Sequence, residues 1–352
     1  MSDEEWLDTT EEDSLLETDK LTYEISFYPA DITLEGYLTR HEKNQLKIPR
    51  FQRNYIWDQV RASKLIESFL LGLPVPGVFL YKERDTNKLL IVDGLQRIMT
   101  AVKFFNGAFD DNRVFRLKNV AEPWNGKTFD ELPEPAQIQL QDTVLRATII
   151  QQIDPNDDSS IYHIFERLNT GGVQLNPMEV RKCVYDSRAF ELLEELNTNQ
   201  DWRSIIGRER IDPRMKDAEL ILRILAISDD VEHYDKPMKS FLNKYISARK
   251  ALDTESTDEY IETTRDDFET ACDVIHESLG DRPFHLRNRL NYAVLESVFA
   301  RVLRNLDGDF KNLRQKYQEL AQNERFVELA TANTSDESVV KERFDMTEAL
   351  LE

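Results

Sequence analysis

The sequence predicts an α+β protein, with a mixed α/β domain over residues 21–185 and an all-helical domain over 186–352. Two observations carry this. Up to about residue 185, short apolar or β-rich runs alternate with segments of helical spacing. After Asn176-Pro177, the apolar segments keep helical spacing. No fixed-period repeat is visible.

Residues 1–20 hold nine acids and one lysine and read as an acidic, disordered tail. LTYEISFYP (21–29) reads as a strand, and DITLEGYLTRHEKN (31–44) as a short helix with Asp31 as its cap. LKIP (46–49) is a short strand ended by Pro49. Asp58 caps a helix with apolar positions at Leu65, Ile66, Phe69, Leu70 and Leu73. LPVPGVFLYKE (73–83) is a proline-broken approach to a strand, and Asp85-Thr86-Asn87 turns the chain into another strand at 89–92. Next, Leu95, Ile98, Met99, Val102 and Phe105 fall on one helical stripe. Residues 107–143 are loop and short helix, and VLRATIIQQI (144–153) is β-rich. DDSSIYHIFERLNTGG (157–172) reads as a capped helix ending at Gly171-Gly172. Further helices are expected in MEVRKCVYDSRAFELLEEL, DAELILRILAIS, MKSFLNKYISARKAL, YAVLESVFARVL and FKNLRQKYQELA.

The net charge is −21, but its distribution matters more than its total. Residues 1–20, 251–270 and 331–352 carry −8, −7 and −4, leaving about −2 for everything else. Acid concentrated this way has the look of solvated segments. It argues against broad nonspecific coating of DNA while leaving room for a local anion site, since residues 30–70 are basic. Only Cys183 and Cys272 are present, without metal-ligand spacing, so a disulfide scaffold and a zinc site are not expected and a reducing, cytoplasmic setting is. The acidic start is not a signal peptide, and no apolar run reaches the about 18 residues of a membrane span.

Three constellations could carry chemistry. In IPRFQRNYIW (48–57), arginines alternate with aromatics; they read either as a phosphate- and ring-binding stretch or as a loop anchored on the core. In IVDGLQR (91–97), a strand stops at Asp93-Gly94 and a helix begins at once. Ligand sites lie beyond the carboxyl ends of strands, and a helix N-terminus offers free N–H groups there. Gly94 would admit a phosphate to the backbone, Arg97 could reach the same anion, and Asp93 could cap the helix, hold Arg97 or bind a metal. An ordinary Asp-Gly turn beside a surface arginine explains the same residues as well. The stretch is neither a P-loop nor a GxGxxG turn. In FERLNTGG (165–172), Arg167 and one glycine suit a helix C-terminus, while Asn169-Thr170 and a second glycine suit a loop that closes over a ligand. The five histidines are scattered, and Cys183 reads as packed. Arg214 and Lys216 read as a solvated face.

Together, IPRFQRNYIW, IVDGLQR and FERLNTGGVQLNPMEVR (165–181), with LPVPGVFLY (73–81) between the first two, resemble the N-terminal domain of GmrSD-type modification-dependent restriction proteins, which is related to the ParB/sulfiredoxin fold. The resemblance covers about residues 25–225. It implies a ParB/sulfiredoxin-like domain that binds a nucleoside triphosphate with Mg2+, with hydrolysis as a further expectation, in defence against foreign DNA. Carried over, the signature points to Asp93, Gln96 and Arg97 as catalytic, with Asp93 also a metal ligand. Gln52, Arg53, Tyr55, Trp57, Gly94, Arg167, Asn169 and Gly172 would bind the nucleotide. Leu95 departs from the glutamine often found at its position and belongs to the buried stripe. The HNH nuclease domain of many relatives has no counterpart in the scattered histidines, so an NTPase is expected rather than an HNH nuclease. Alternatives are a non-enzymatic DNA-binding sensor that recruits a separate nuclease subunit, and an acidic interaction protein. Exposed apolar helix faces beyond residue 285 suggest a homodimer.

Overall fold

The computed structural model describes residues 25–48, 55–84, 86–110, 113–153, 164, 176–286 and 288–350. They form two compact units, one within Thr22–Leu175 and one within Asn176–Glu352.

The first unit is mixed α/β. Strand β1 (Ile25–Thr33) leads into α1 (Leu34–Glu42) and the two-residue β2 (Leu46–Lys47). Helix α2 (Gln59–Leu70) precedes β3 (Val78–Lys82), β4 (Leu89–Asp93) and α3 (Leu95–Phe105). The hairpin β5 (Ala108–Asp110) and β6 (Arg113–Val114), helix α4 (Glu134–Asp142) and β7 (Val144–Gln152) complete it. The sheet order is β1-β7-β3-β4-β2. β7 runs antiparallel to β1 and parallel to β3, β3 runs antiparallel to β4, and β4 parallel to β2. β4 is covered on both faces, which accounts for its unbroken Leu89-Leu90-Ile91-Val92 run. Helices α1, α2 and α3 pack on the core formed by Leu80, Ile91, Ile98, Val102, Phe104 and Ala147.

The first strand and helix differ from expectation. β1 continues through Thr33, paired along its whole length with β7, so Asp31 lies opposite Arg146 and ion-pairs with it at 3.1 Å. Thr33 instead caps α1, accepting from the Gly36 amide at 3.0 Å. Cross-strand pairing thus outcompetes a local cap. Asp58 caps α2 as expected, accepting from the Arg61 amide at 2.8 Å. Residues 1–20 and most of the segment expected to be helical at 157–172 lie outside the described residues.

The second unit is helical: α5 (Pro177–Val184), α6 (Arg188–Leu196), α7 (Gln200–Ile206), α8 (Lys216–Asp230), α9 (Met238–Lys250), α10 (Thr254–Leu279), α11 (Tyr292–Arg304), α12 (Leu313–Gln322), α13 (Glu324–Leu329) and α14 (Glu337–Met346). α5 belongs here because Arg181, 1% exposed, donates to Asn243 Oδ1 at 2.8 Å and to Glu219 Oε2 at 3.2 Å. α8 and α11 pack together at the centre and are buried almost all round. Of the apolar residues beyond residue 285, Tyr292 to Val302 on α11 are buried within this unit, while Val327 is exposed. The acidic stretches 251–270 and 331–352 are likewise not wholly solvated. Their described residues include parts of α10 and α14, whose inner faces bury Ile261, Phe268 and Cys272, and Val340, Arg343 and Phe344. Among the described residues, no helix is long and apolar enough to cross a membrane.

His276 on α10 bridges two carboxylates, contacting Asp201 of α7 through Nδ1 and Asp281 through Nε2, the latter at 3.0 Å. The hydrogen bond to Asp201, with that to Asp281, raises the imidazole pKa above its ordinary value. A raised folded pKa gives stabilisation that is full below the unfolded value of about 6.5 and is lost as pH rises through the folded value. The advantage of wild type over His276→Gln in urea unfolding is accordingly expected to shrink as pH rises from about 6.5 into the alkaline range. A constant difference across that range would refute the linkage.

Candidate functional site

The site is built where β4 hands over to α3. Asp93 ends the strand, and Gly94 is the helix N-cap at φ 98°, ψ 13°. The position demands glycine twice over. Its φ lies in the left-handed region, and a Cβ there would sit 2.3 Å from Val78 Cγ1 on the neighbouring strand. As a glycine, the cap itself supplies no side-chain hydrogen bond to the first turn of α3, which starts at the end of the strand.

Asp93 does not cap the helix. Its Oδ2 accepts from Arg97 Nη2 at 2.8 Å, and the same nitrogen donates to the Gly77 carbonyl at 3.0 Å. Arg97 thereby ties the end of β4 to the chain just before β3. Its Nε is buried and has no hydrogen-bond partner among the described residues. Asp93 keeps about 41% of its side chain exposed and Arg97 about 20%, so solvent and a solute can reach the pair.

Gln96 turns the other way. Its Oε1 accepts from the amides of Ile56 at 3.1 Å and Trp57 at 3.3 Å. One turn on, the Thr100 hydroxyl donates to the Gln96 carbonyl at 2.7 Å and shares a 2.8 Å hydrogen bond with the Tyr55 hydroxyl. Burial pushes the Tyr55 phenol up to about 12, so it stays protonated at neutral pH. Gln96, Thr100 and Lys103 thus lie on one face of α3, at i, i+4 and i+7, and hold the loop that carries Tyr55 and Trp57. The guanidinium of Arg61 sits over the Trp57 ring at 4.7 Å.

The structure therefore brings together six of the sequence-predicted positions: Asp93, Gly94 and Arg97 at the junction, and Gln96, Tyr55 and Trp57 on the adjoining helix face. Gln52, Arg53, Arg167, Asn169 and Gly172 lie outside the described residues. Leu95 is buried, as its place on the apolar stripe requires. Gly77 and Thr100 were not legible as site residues. Thr100 shares the helical spacing of Gln96, which could have found it. Gly77 is reached only through strand pairing.

Among the described residues, no three histidine, cysteine or acidic side chains come together to hold a metal ion by themselves. Magnesium that travels with a triphosphate needs only one or two carboxylates, the phosphates supplying the rest. Asp93, reachable and engaged through one oxygen, fits that requirement.

Residues 34–185 match the family described as the GmrSD restriction endonuclease, N-terminal domain. This chain carries a GmrSD N-terminal domain. The match begins at the first residue of α1 and ends just after α5, so it takes in the whole Asp93–Arg97 junction of the GmrSD domain. Membership suggests a role in a restriction system. No curated protein matches the chain.

Proposed function

We propose that the GmrSD domain binds a nucleoside triphosphate with Mg2+ at the β4–α3 junction and hydrolyses it, as the nucleotide-dependent component of a DNA-defence system. The reading rests on the reachable Asp93–Arg97 pair at a helix N-terminus capped by glycine. Backbone N–H groups of the first turn of α3 and the Arg97 guanidinium together make a preorganised set of donors for phosphate oxygens. Asp93 and Arg97 neutralise one another at 2.8 Å. When a metal-bound triphosphate arrives, each finds a partner of opposite sign, Asp93 the cation and Arg97 the phosphate. A guanidinium placed where phosphoryl charge develops is the main lever for transfer to water.

Calorimetric titration with ATP, GTP, CTP and UTP in the presence of Mg2+ tests this. Wild type is expected to bind at least one of them, and Arg97→Ala to lose about tenfold or more in affinity, the loss of one charge-assisted contact. Because Arg97 also holds Gly77, thermal melts establish that the variant is folded, and Arg97→Lys is expected to retain the charge but fall between the two. Folded wild-type protein that binds none of the four would overturn the proposal.

A further inference from the structure

Beside the junction lies a cleft of about 360 Å3 that the phosphate site does not use, lined by Tyr55, Trp57, Gln59, Lys103, Phe109 and Arg113 among others. Its size falls in the range of small-molecule pockets, about 300–1,000 Å3. Its walls combine the rings of Tyr55, Trp57 and Phe109 with Lys103, Arg113 and the carboxylates of Asp58 and Asp110, the last ion-paired with Arg113. Tyr55 and Phe109 meet edge to face, with centroids 5.6 Å apart. Cations ride on these rings: Lys103 Nζ lies 5.0 Å from the Tyr55 centroid, and the Arg113 guanidinium lies 5.0 Å over Phe109. Lys103 is fixed in place by donating to the Phe109 carbonyl at 2.8 Å. Aromatic faces interleaved with cations are what a planar, electron-rich heterocycle stacks on.

The cleft is coupled to the junction through α3. Gln96 and Arg97 are neighbours in sequence, yet Gln96 holds the backbone of the cleft wall while Arg97 faces Asp93. The Gln96 side-chain oxygen accepts from two consecutive loop amides, which holds the backbone that carries Trp57. One helix thus serves a phosphate site with its first turn and a ring-sized cleft with its side.

We propose that this cleft takes the base of the nucleotide, stacked against Trp57, with Gln96 as the positioning residue that fixes the wall. The inference rests on the nucleotide reading above, and the experiment separates the two. The full chain is titrated with inorganic tripolyphosphate, with the four nucleoside triphosphates in Mg2+, and with the four nucleosides, while Trp57 fluorescence is followed. The preferred triphosphate is expected to bind about tenfold or more tighter than tripolyphosphate, one stacked base being worth roughly that factor or above. The preferred nucleoside alone is expected to quench fluorescence, and the quench to vanish in Trp57→Phe, which keeps a ring in place. Trp57→Ala is expected to erase the advantage of nucleotide over tripolyphosphate while leaving tripolyphosphate binding intact. Gln96→Ala is expected to reduce that advantage, and Gln96→Glu, which keeps an accepting oxygen, to restore most of it. If nucleotide and tripolyphosphate bind equally and Trp57→Ala changes neither, the base cleft is refuted while the phosphate site stands. If neither binds, the phosphate site is refuted, and quenching of Trp57 by a nucleoside then decides the cleft alone, its absence overturning it.

Discussion

Alanine in place of Gly94 is expected to destabilise the α/β unit by about 3 kcal/mol or more, from left-handed strain and overpacking together. The Cβ would lie 2.3 Å from Val78 Cγ1 and 2.7 Å from Val78 Cβ. Val78 is 1% exposed and sits in a paired strand, so it has nowhere to retreat. Val78→Ala removes the closer clash but not the second, nor the positive φ. The double variant is therefore expected to recover part of the loss relative to the sum of the single changes, a coupling typical of residues in contact. Urea unfolding followed through the α/β transition measures all three. A Gly94→Ala protein as stable as wild type would mean that the junction is far softer than the geometry allows.

An effect of similar size is expected in the helical unit. Glu296 on α11 is 1% exposed and accepts from Arg343 Nη2 at 2.6 Å and from Arg223 Nη1 at 3.1 Å. Arg343 is fully buried and also donates to Ser297 Oγ and to the carbonyls of Leu329 and Thr334. Glu296→Leu would strand a buried guanidinium, and losing one partner of a buried pair costs about 3–5 kcal/mol. Replacing both members, as Glu296→Leu with Arg343→Met, is expected to cost less than Glu296→Leu alone, because Arg343 is then no longer stranded while Arg223 keeps Glu219 at 3.7 Å. A double variant less stable than the single would show that the hydrogen bonds of Arg343 to the carbonyls outweigh the stranded charge.

The fold was legible where one physical rule dominated. The apolar run 89–92 and the stripe from Leu95 to Phe105 announce a buried strand and an amphipathic helix, and both are present at nearly those bounds. Asp58 was readable as a cap, whereas Asn176, which marked only the turn into helical spacing, forms a full capping box with Glu179. Asp31 misled because a cap signal is local, while its pairing with β7 is made 115 residues away. The acidic segments misled for a related reason. Charge counts report the outer face of a helix, whereas Arg343 and Phe344 reveal themselves only when α14 is packed. At the site, spacing marked Asp93, Gly94, Gln96 and Arg97, but could not tell that Gln96 and Arg97 face apart. Phe109 and Arg113 carried no signal at all, since it is the β5–β6 hairpin that brings them beside Trp57.

The two hydrogen bonds accepted by Gln96 also bear on timing. Its amide oxygen is engaged by Ile56 and Trp57, so it can accept from an attacking water only after those amides let go. Under the proposed hydrolysis, a turnover that used this oxygen would contain a loop-release step ahead of chemistry, and the frequency of that release would be a ceiling on the rate.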